Sequence, residues 1–166
     1  MEYRYTRAMG GKGSGPEWFG HSIRGLCAGP DGRLYAAGDS QVMVFDPAGK
    51  LLRRWVTAKP GCSIGVAGGG RVYVGEAGQV EIFDGAGKLE NAWRGGWLGE
   101  VTAIGFHGAQ ILVADTGARC IRRYDGNLKH LNDIGKDNRT NGFLIPNGTL
   151  DFSVDAGGVI HAANPG

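Results

Sequence analysis

A chain of 166 residues, of which 42% are hydrophobic, is long enough for one domain with a buried core, and this composition excludes wholesale disorder. The formal net charge is only +2 and basic residues are interspersed with acidic ones, which argues against nucleic acid or a membrane surface as a partner. No apolar run reaches the roughly 20 residues of a membrane span, and the N-terminal nine residues lack the apolar core of a signal peptide.

The first predicted elements are an outer strand at 2–8 and a glycine-rich segment, "GGKGSGPEWF", at 10–19. A phosphate-binding loop needs a lysine followed by Ser or Thr, but Lys12 is followed by Gly13. The three spaced glycines of a dinucleotide site are also missing, because Pro16 stands where the third should be. We therefore expect a loop between structural units, with glycines at positive-φ turns.

A repeat dominates the rest of the chain. Residues 32–55, "GRLYAAGDSQVMVFDPAGKLLRRW", match residues 70–93, "GRVYVGEAGQVEIFDGAGKLENAW", at 12 of 24 positions without a gap. A third copy follows at 109–131 and a fourth begins at 151. The period of 38 residues between the first two copies is typical of a repeat architecture.

Each repeat reads as four short strands. In the second copy "SIGVA", "RVYVG", "QVEIF" and "LENAW" are separated by glycine-containing turns, and no helical period is present. The fourth runs carry charged residues, which indicates an exposed outer edge. Since such sheets bury both faces only by stacking around an axis, the sequence predicts an all-β fold: a β-propeller built of four-stranded antiparallel blades.

The predicted domain is a single partial propeller over 1–166, with about three complete blades plus fragments. Its blade repeats are expected at about 23–59, 63–97, 101–137 and 150–166, the last one truncated, with 2–8 as an orphan outer strand.

The string "ILVADTGARCIRRYD" at 111–125 resembles the NHL repeat, which has Val-Ala-Asp, a turn, an arginine, and an aromatic residue followed by Asp. The first two copies are similar but lack the arginine. The resemblance implies a ring of about six blades, so the chain is expected to be a fragment of a longer propeller. An alternative is that two copies associate as a homodimer to close the ring.

Candidate site residues lie where the second strands end, at Gly38, Glu76, Asp115 and Asn164. Their oxygen atoms could converge near the channel and bind calcium. The stronger interpretation is a role in the adjoining turns, since Asx side chains bond nearby backbone. Asp115 and Arg119 flank one turn and are predicted to form a structural ion pair.

Other candidates are weaker. His161, near Asp151 and Asp155, is the best-placed of four histidines, none of which has a nucleophile or paired-ligand context. Trp18, Phe19 and Trp97 fall in predicted loops, where they could form a binding rim, although packing between blades is favoured. The cysteines lack metal or redox spacing and are expected to be free, buried thiols: Cys27, Cys62 and Cys120.

The sequence favours a non-catalytic binding scaffold whose loop face, including residues 136–149, presents a surface to a protein or small-molecule ligand. The alternative is an enzyme resembling the metal-dependent lactonase-like or lyase-like propellers, with a site completed by Glu76, Asp115, Asn164 and His161 together with further blades. RNA binding, known for some NHL domains, is disfavoured by the dispersed charge. No catalytic set is visible in this chain.

Overall fold

The computed structural model describes residues 4–6, 8, 11–12, 15–136 and 141–164. Within them the backbone forms sixteen strands and no helix. The strands are β1 (Gly11–Lys12), β2 (Trp18–Phe19), β3 (Gly25–Ala28), β4 (Leu34–Gly38), β5 (Gln41–Phe45), β6 (Leu51–Val56), β7 (Ser63–Val66), β8 (Val72–Glu76), β9 (Gln79–Phe83), β10 (Leu89–Arg94), β11 (Val101–His107), β12 (Gln110–Asp115), β13 (Cys120–Tyr124), β14 (His130–Ile134), β15 (Asp151–Val154) and β16 (Ile160–Ala163).

Twelve of these strands build three four-stranded antiparallel sheets in which chain neighbours are also spatial neighbours. The sheets are β3–β4–β5–β6, β7–β8–β9–β10 and β11–β12–β13–β14. A two-stranded antiparallel sheet, β15–β16, follows them, and β1 pairs with β2 in parallel. The predictions of an all-β chain and of four-stranded antiparallel sheets are therefore confirmed, and the sheets fall within the predicted repeat boundaries.

A recurring aspartate shapes the turn between the third and fourth strands of each sheet. The Oδ1 atoms of Asp46, Asp84 and Asp125 accept hydrogen bonds from the N–H groups four residues later, at 2.8, 2.9 and 2.9 Å. The chain can then turn back through a positive φ, 83° at Gly49 and 89° at Gly87. In each repeat the aromatic residue therefore ends the third strand, and the aspartate that follows it begins the turn.

The sheets stack face to face through successive apolar layers. One layer joins the first and second sheets, a second joins the second and third, and a third joins the third sheet to β15. Alternate residues of β8 serve different layers, because Val72 and Val74 face the first sheet while Tyr73 faces the third. Both faces of the second and third strands are therefore largely buried, whereas the outer strands β6 and β10 are largely exposed.

The first strands of successive sheets run side by side: β3 contacts β7, β7 contacts β11, and β11 contacts β15. They approach so closely that a Cβ atom added to Gly25 would lie 2.9 Å from the Cα atom of Ser63. Because these strands belong to consecutive repeats, residues 38 positions apart are brought together along this inner side of the stack.

The N-terminal segment covers the outer face of the first sheet. Phe19 is buried and packs with Ala36, Met43 and Phe45, so it takes a packing role, which the sequence favoured over a binding rim. Residues 4–6 and 8 lie outside any strand, and the rest of the predicted strand at 2–8 falls outside the described residues. The part of the chain that the structure describes contains no helix that is long and apolar enough to cross a membrane.

Candidate ligand-binding site

An open cavity of about 390 Å³ lies beside the first strands of the stacked sheets, and we call it the axial cavity. It is lined by residues on or next to β3, β7, β11 and β15, so each of the four repeats contributes to its wall. The lining residues are Arg24, Gly25, Leu26, Cys27, Cys62, Ser63, Ile64, Thr102, Ala103, Ile104, Thr149, Asp151 and Phe152.

Three polar side chains from three successive repeats contact one another here, and two of them, Arg24 and Cys62, line the cavity. The Arg24 Nη2 atom donates to the Glu100 Oε1 atom at 2.8 Å, and the Cys62 Sγ atom lies 3.2 Å from the same oxygen. The Arg24 Nη1 atom lies 3.4 Å from the Cys62 sulfur. These three residues are spaced 38 positions apart, and each immediately precedes the first strand of its sheet. We call them the axial triad.

The Cys62 thiol of the axial triad is held in its protonated form. Burial raises the pKa of Cys62 to about 11, and the hydrogen bond to Glu100 acts in the same direction, while Arg24 opposes the shift. At neutral pH the thiol therefore donates a hydrogen bond to Glu100. A thiol with this pKa is a poor nucleophile, since the thiolate is the reactive species.

A second set of hydrogen bonds joins neighbouring first strands beside the triad. The Ser63 hydroxyl donates to the carbonyl oxygen of Val101 at 2.8 Å, and the Thr102 hydroxyl donates to the carbonyl oxygen of Leu150 at 2.6 Å. Each bond links one sheet to the next. They fix the spacing of the strands that form the cavity wall, so the wall is largely preorganised.

Glu76 ends β8 as predicted, and its side chain is fully buried. Its carboxyl accepts hydrogen bonds from the Lys59 N–H, at 3.3 Å, and from the Gln79 side-chain amide. Burial raises the pKa of Glu76 to about 7, and the nearby Glu81 carboxyl adds to the shift.

Asp115 is also fully buried and ends β12, but its ionic partner is Arg122, with a distance of 2.9 Å between Oδ2 and Nε. The predicted Asp115–Arg119 pair was wrong. Arg119 has a φ of 58°, and its side chain instead donates to the carbonyl oxygen of Phe143 at 2.7 Å. Arg122 lies in β13, two positions along from the residue paired with Asp115, and so shares its face.

The turn role favoured for Asp115 is present in the structure. Its Oδ1 atom accepts from the Ala118 N–H at 2.9 Å, across the turn that follows β12. The same oxygen accepts from the Gly99 N–H at 3.1 Å and so ties the turn to the preceding connection.

The remaining polar candidates have separate partners. The Asn164 amide donates to the carbonyl oxygen of Leu144, and His161 lies 3.4 Å from the Asp155 carboxylate. No hydrogen bond or ion pair joins any two of Glu76, Asp115, Asn164 and His161. Among the described residues, no three His, Cys, Asp or Glu side chains are grouped closely enough to hold a metal ion.

The two candidate rim tryptophans differ in their surroundings. Trp97 is about half exposed, but its ring stacks on Tyr124 at 5.9 Å and lies beneath the Arg122 guanidinium at 5.1 Å. Trp18 is similarly exposed and lies in β2 beside the buried Phe19. Neither residue lines the axial cavity.

The axial triad was missed at the level of sequence, although the signal was present. The 38-residue period that relates the repeats also relates Arg24, Cys62 and Glu100. The candidates at the ends of the second strands, Glu76, Asp115 and Asn164, bond separate partners, whereas the side chains that contact one another stand just before the first strands.

No protein-family model matches this chain, and a search of curated proteins finds no significant match.

Proposed function

We propose that this chain is part of an NHL-type β-propeller that acts as a non-catalytic binding scaffold, and that its ligand is a small polar molecule held in the axial cavity. The observation that carries the proposal is the axial triad. It joins a guanidinium, a carboxylate and a thiol from three repeats, and the guanidinium of Arg24 and the thiol of Cys62 belong to residues that line the cavity.

The propeller part of the proposal is supported by how the sheets meet. Three four-stranded sheets stack through continuous apolar layers, and their first strands lie together on one side, as expected of blades around an axis. The NHL-like string at 111–125 supports the family assignment. In this proposal β15 and β16 are the first two strands of a further blade.

The binding part is supported by the chemistry of the cavity wall. Arg24 offers donors, Asp151 offers an acceptor, and Thr102 and Thr149 add hydroxyl groups. Mixed donors and acceptors around an open cavity suit a hydroxylated or zwitterionic molecule. The high pKa of the Cys62 thiol argues against covalent catalysis at this wall.

The alternative remains the metal-dependent lactonase-like or lyase-like enzyme. It requires calcium held by residues such as Glu76 and Asp115, whose carboxyl groups each have their own protein partners. The binding scaffold should lose ligand binding when the axial triad is altered, whereas the enzyme should lose hydrolysis when Glu76 or Asp115 is altered.

A binding experiment separates them. Ligand-observed NMR with D-glucose and L-alanine as probes, on wild type, Arg24→Ala and the exposed control Lys88→Ala, should show saturable binding of at least one probe that only Arg24→Ala removes. Binding of neither probe would count against the axial site. Hydrolysis of γ-butyrolactone that needs Ca²⁺ and is lost in Glu76→Ala and Asp115→Ala would favour the enzyme.

A further inference from the structure

A second cleft lies between the second and third sheets, at the end where the β7–β8 and β11–β12 turns stand. Two adjoining cavities of about 390 and 470 Å³ share Arg71, Tyr73 and Gly126 as lining residues. Tyr73 forms a buried part of the wall, and the Phe106 ring meets it edge to face at 5.1 Å. We call this the interblade cleft.

The corresponding place in the first repeat is filled by a side chain. There the Asp31 carboxylate pairs with the Arg33 guanidinium at 3.2 Å and accepts a hydrogen bond from the Tyr35 hydroxyl at 3.2 Å. It also accepts from the Arg33 N–H at 3.1 Å. One carboxylate thus satisfies an arginine, a tyrosine and a backbone donor together.

The second repeat keeps the two partners but lacks this carboxylate. Arg71 and Tyr73 stand 38 positions after Arg33 and Tyr35, whereas the residue 38 positions after Asp31 is Gly69. A Cβ atom added at Gly69 would meet nothing within 4 Å, and the same holds for Gly68. The space taken by the Asp31 side chain in one repeat is therefore open in the next.

Arg71 is positioned to receive a ligand. Its side chain is 60% exposed, and its Nε atom is held by the Glu90 carboxylate at 2.8 Å. A guanidinium carries five N–H donors, so the Nη groups can bind a second carboxylate. The Glu90 contact anchors the stem of the side chain, which lowers the entropic cost of binding.

We propose that the interblade cleft binds a carboxylate ligand, which takes between Arg71 and Tyr73 the place that Asp31 holds in the first repeat. The remainder of the ligand lies against Phe106 and the glycine turn at 68–70. This site is separate from the axial cavity and does not depend on the function proposed there.

The test uses two probes that present the same group from different sources: benzoate as a free acid, and N-acetyl-glutamate amide as an acidic peptide side chain. Calorimetric titration should show saturable binding of at least one, and the tighter one identifies the source. We expect Arg71→Leu to weaken that binding about tenfold or more, since a charge-assisted bidentate contact is lost. Arg33→Leu, in the filled first repeat, should leave it unchanged.

A self-filling variant makes the test sharper. Gly69→Asp should restore the arrangement of the first repeat, so it should abolish probe binding and raise the midpoint of thermal unfolding. Gly68→Asp adds the same charge one position away in open space and should retain binding. If neither probe binds saturably, the proposal is overturned. Probe binding that survives Gly69→Asp would also overturn it.

Discussion

At the residue scale, one position distinguishes the buried acids of the second and third sheets. Glu76 and Asp115 both end the second strand, and the facing third strand carries Glu81 in one sheet and Arg122 in the other. Arg122 gives Asp115 an ion pair at 2.9 Å. Glu76 has no such cation: burial is the main cause that raises its pKa, and the nearby Glu81 carboxyl group adds to the shift.

This difference predicts a pH dependence of stability. The pKa of Glu76 lies at about 7 in the folded chain and near its ordinary value of 4.5 when unfolded. Between these values the folded state binds a proton that the unfolded state has lost, so the free energy of unfolding falls as pH rises. We expect the Glu76 contribution to decrease by up to about 3 kcal/mol across this window.

The measurement is urea unfolding of wild type and Glu76→Gln from about pH 4.5 to about pH 7.5. The difference in stability between them should shift toward the variant as pH rises, because glutamine keeps the acceptor for Gln79 without a charge. Glu17→Gln, at an exposed position, should run parallel to wild type. A pH-independent difference for Glu76→Gln would contradict the prediction.

A second prediction concerns the partner of Asp115. Asp115 is fully buried and Arg122 is largely buried. Altering both residues should therefore cost less free energy of unfolding than the sum of the two single changes. In a double-mutant cycle by chemical unfolding, Asp115→Asn with Arg122→Ala should give a coupling of about 1.5–3 kcal/mol.

The same cycle with Arg119→Ala should be close to additive, because Arg119 bonds a backbone carbonyl instead. Stronger coupling to Arg119 than to Arg122 would support the pairing expected from sequence. Sequence separation favoured Arg119, but its left-handed backbone turns the side chain away. Such a conformation is rare for residues other than glycine, so it could not be predicted from the residue type.

At the scale of elements, strand positions followed from pattern, because apolar runs and glycine turns are local signals. The runs expected at 63–67, 71–75, 79–83 and 89–93 became β7, β8, β9 and β10 with shifts of about one residue. Contacts between sheets depend on how closely the backbones approach, which local patterns do not show. The axial triad could have been predicted only by comparing polar residues, as well as apolar ones, at the 38-residue period.

The close approach of first strands gives a third prediction. A Cβ atom at Gly25 would lie 2.9 Å from the Ser63 Cα atom and 2.8 Å from the Ile64 nitrogen. These are backbone atoms of β7, so the clash can be relieved only if the strand itself shifts. Gly25→Ala should therefore destabilise the chain by about 1–3 kcal/mol in chemical unfolding.

Gly69→Ala is the matched control, since nothing lies within 4 Å of its added Cβ atom and its φ is not positive. It should be neutral or slightly stabilising, because alanine restricts the unfolded chain. Equal effects of the two substitutions would mean that β3 and β7 do not approach closely.

At the scale of the whole molecule, three apolar layers are each shared between neighbouring sheets, so each four-stranded sheet buries at least one face against its neighbour. The first layer takes residues from the first and second sheets, and the second layer takes residues from the second and third. We therefore expect neighbouring sheets to unfold together. Circular dichroism and tryptophan fluorescence should give coincident thermal transitions. Separate transitions would show that individual sheets are independent units.

The central claim is that first strands of successive sheets converge, so that residues 38 positions apart meet at the axial cavity. The most direct measurement is disulfide formation in Arg24→Cys, with Cys27 replaced by Ser. Because the backbones at Gly25 and Ser63 are nearly in contact, Cys62 should lie within disulfide range of position 24. Mild oxidation followed by peptide mass mapping should yield a 24–62 bond within one chain, and Arg54→Cys on the exposed outer strand β6 should not bond to Cys62. If the disulfide between positions 24 and 62 forms no faster than the disulfide between positions 54 and 62 in the control, the first strands do not converge as described.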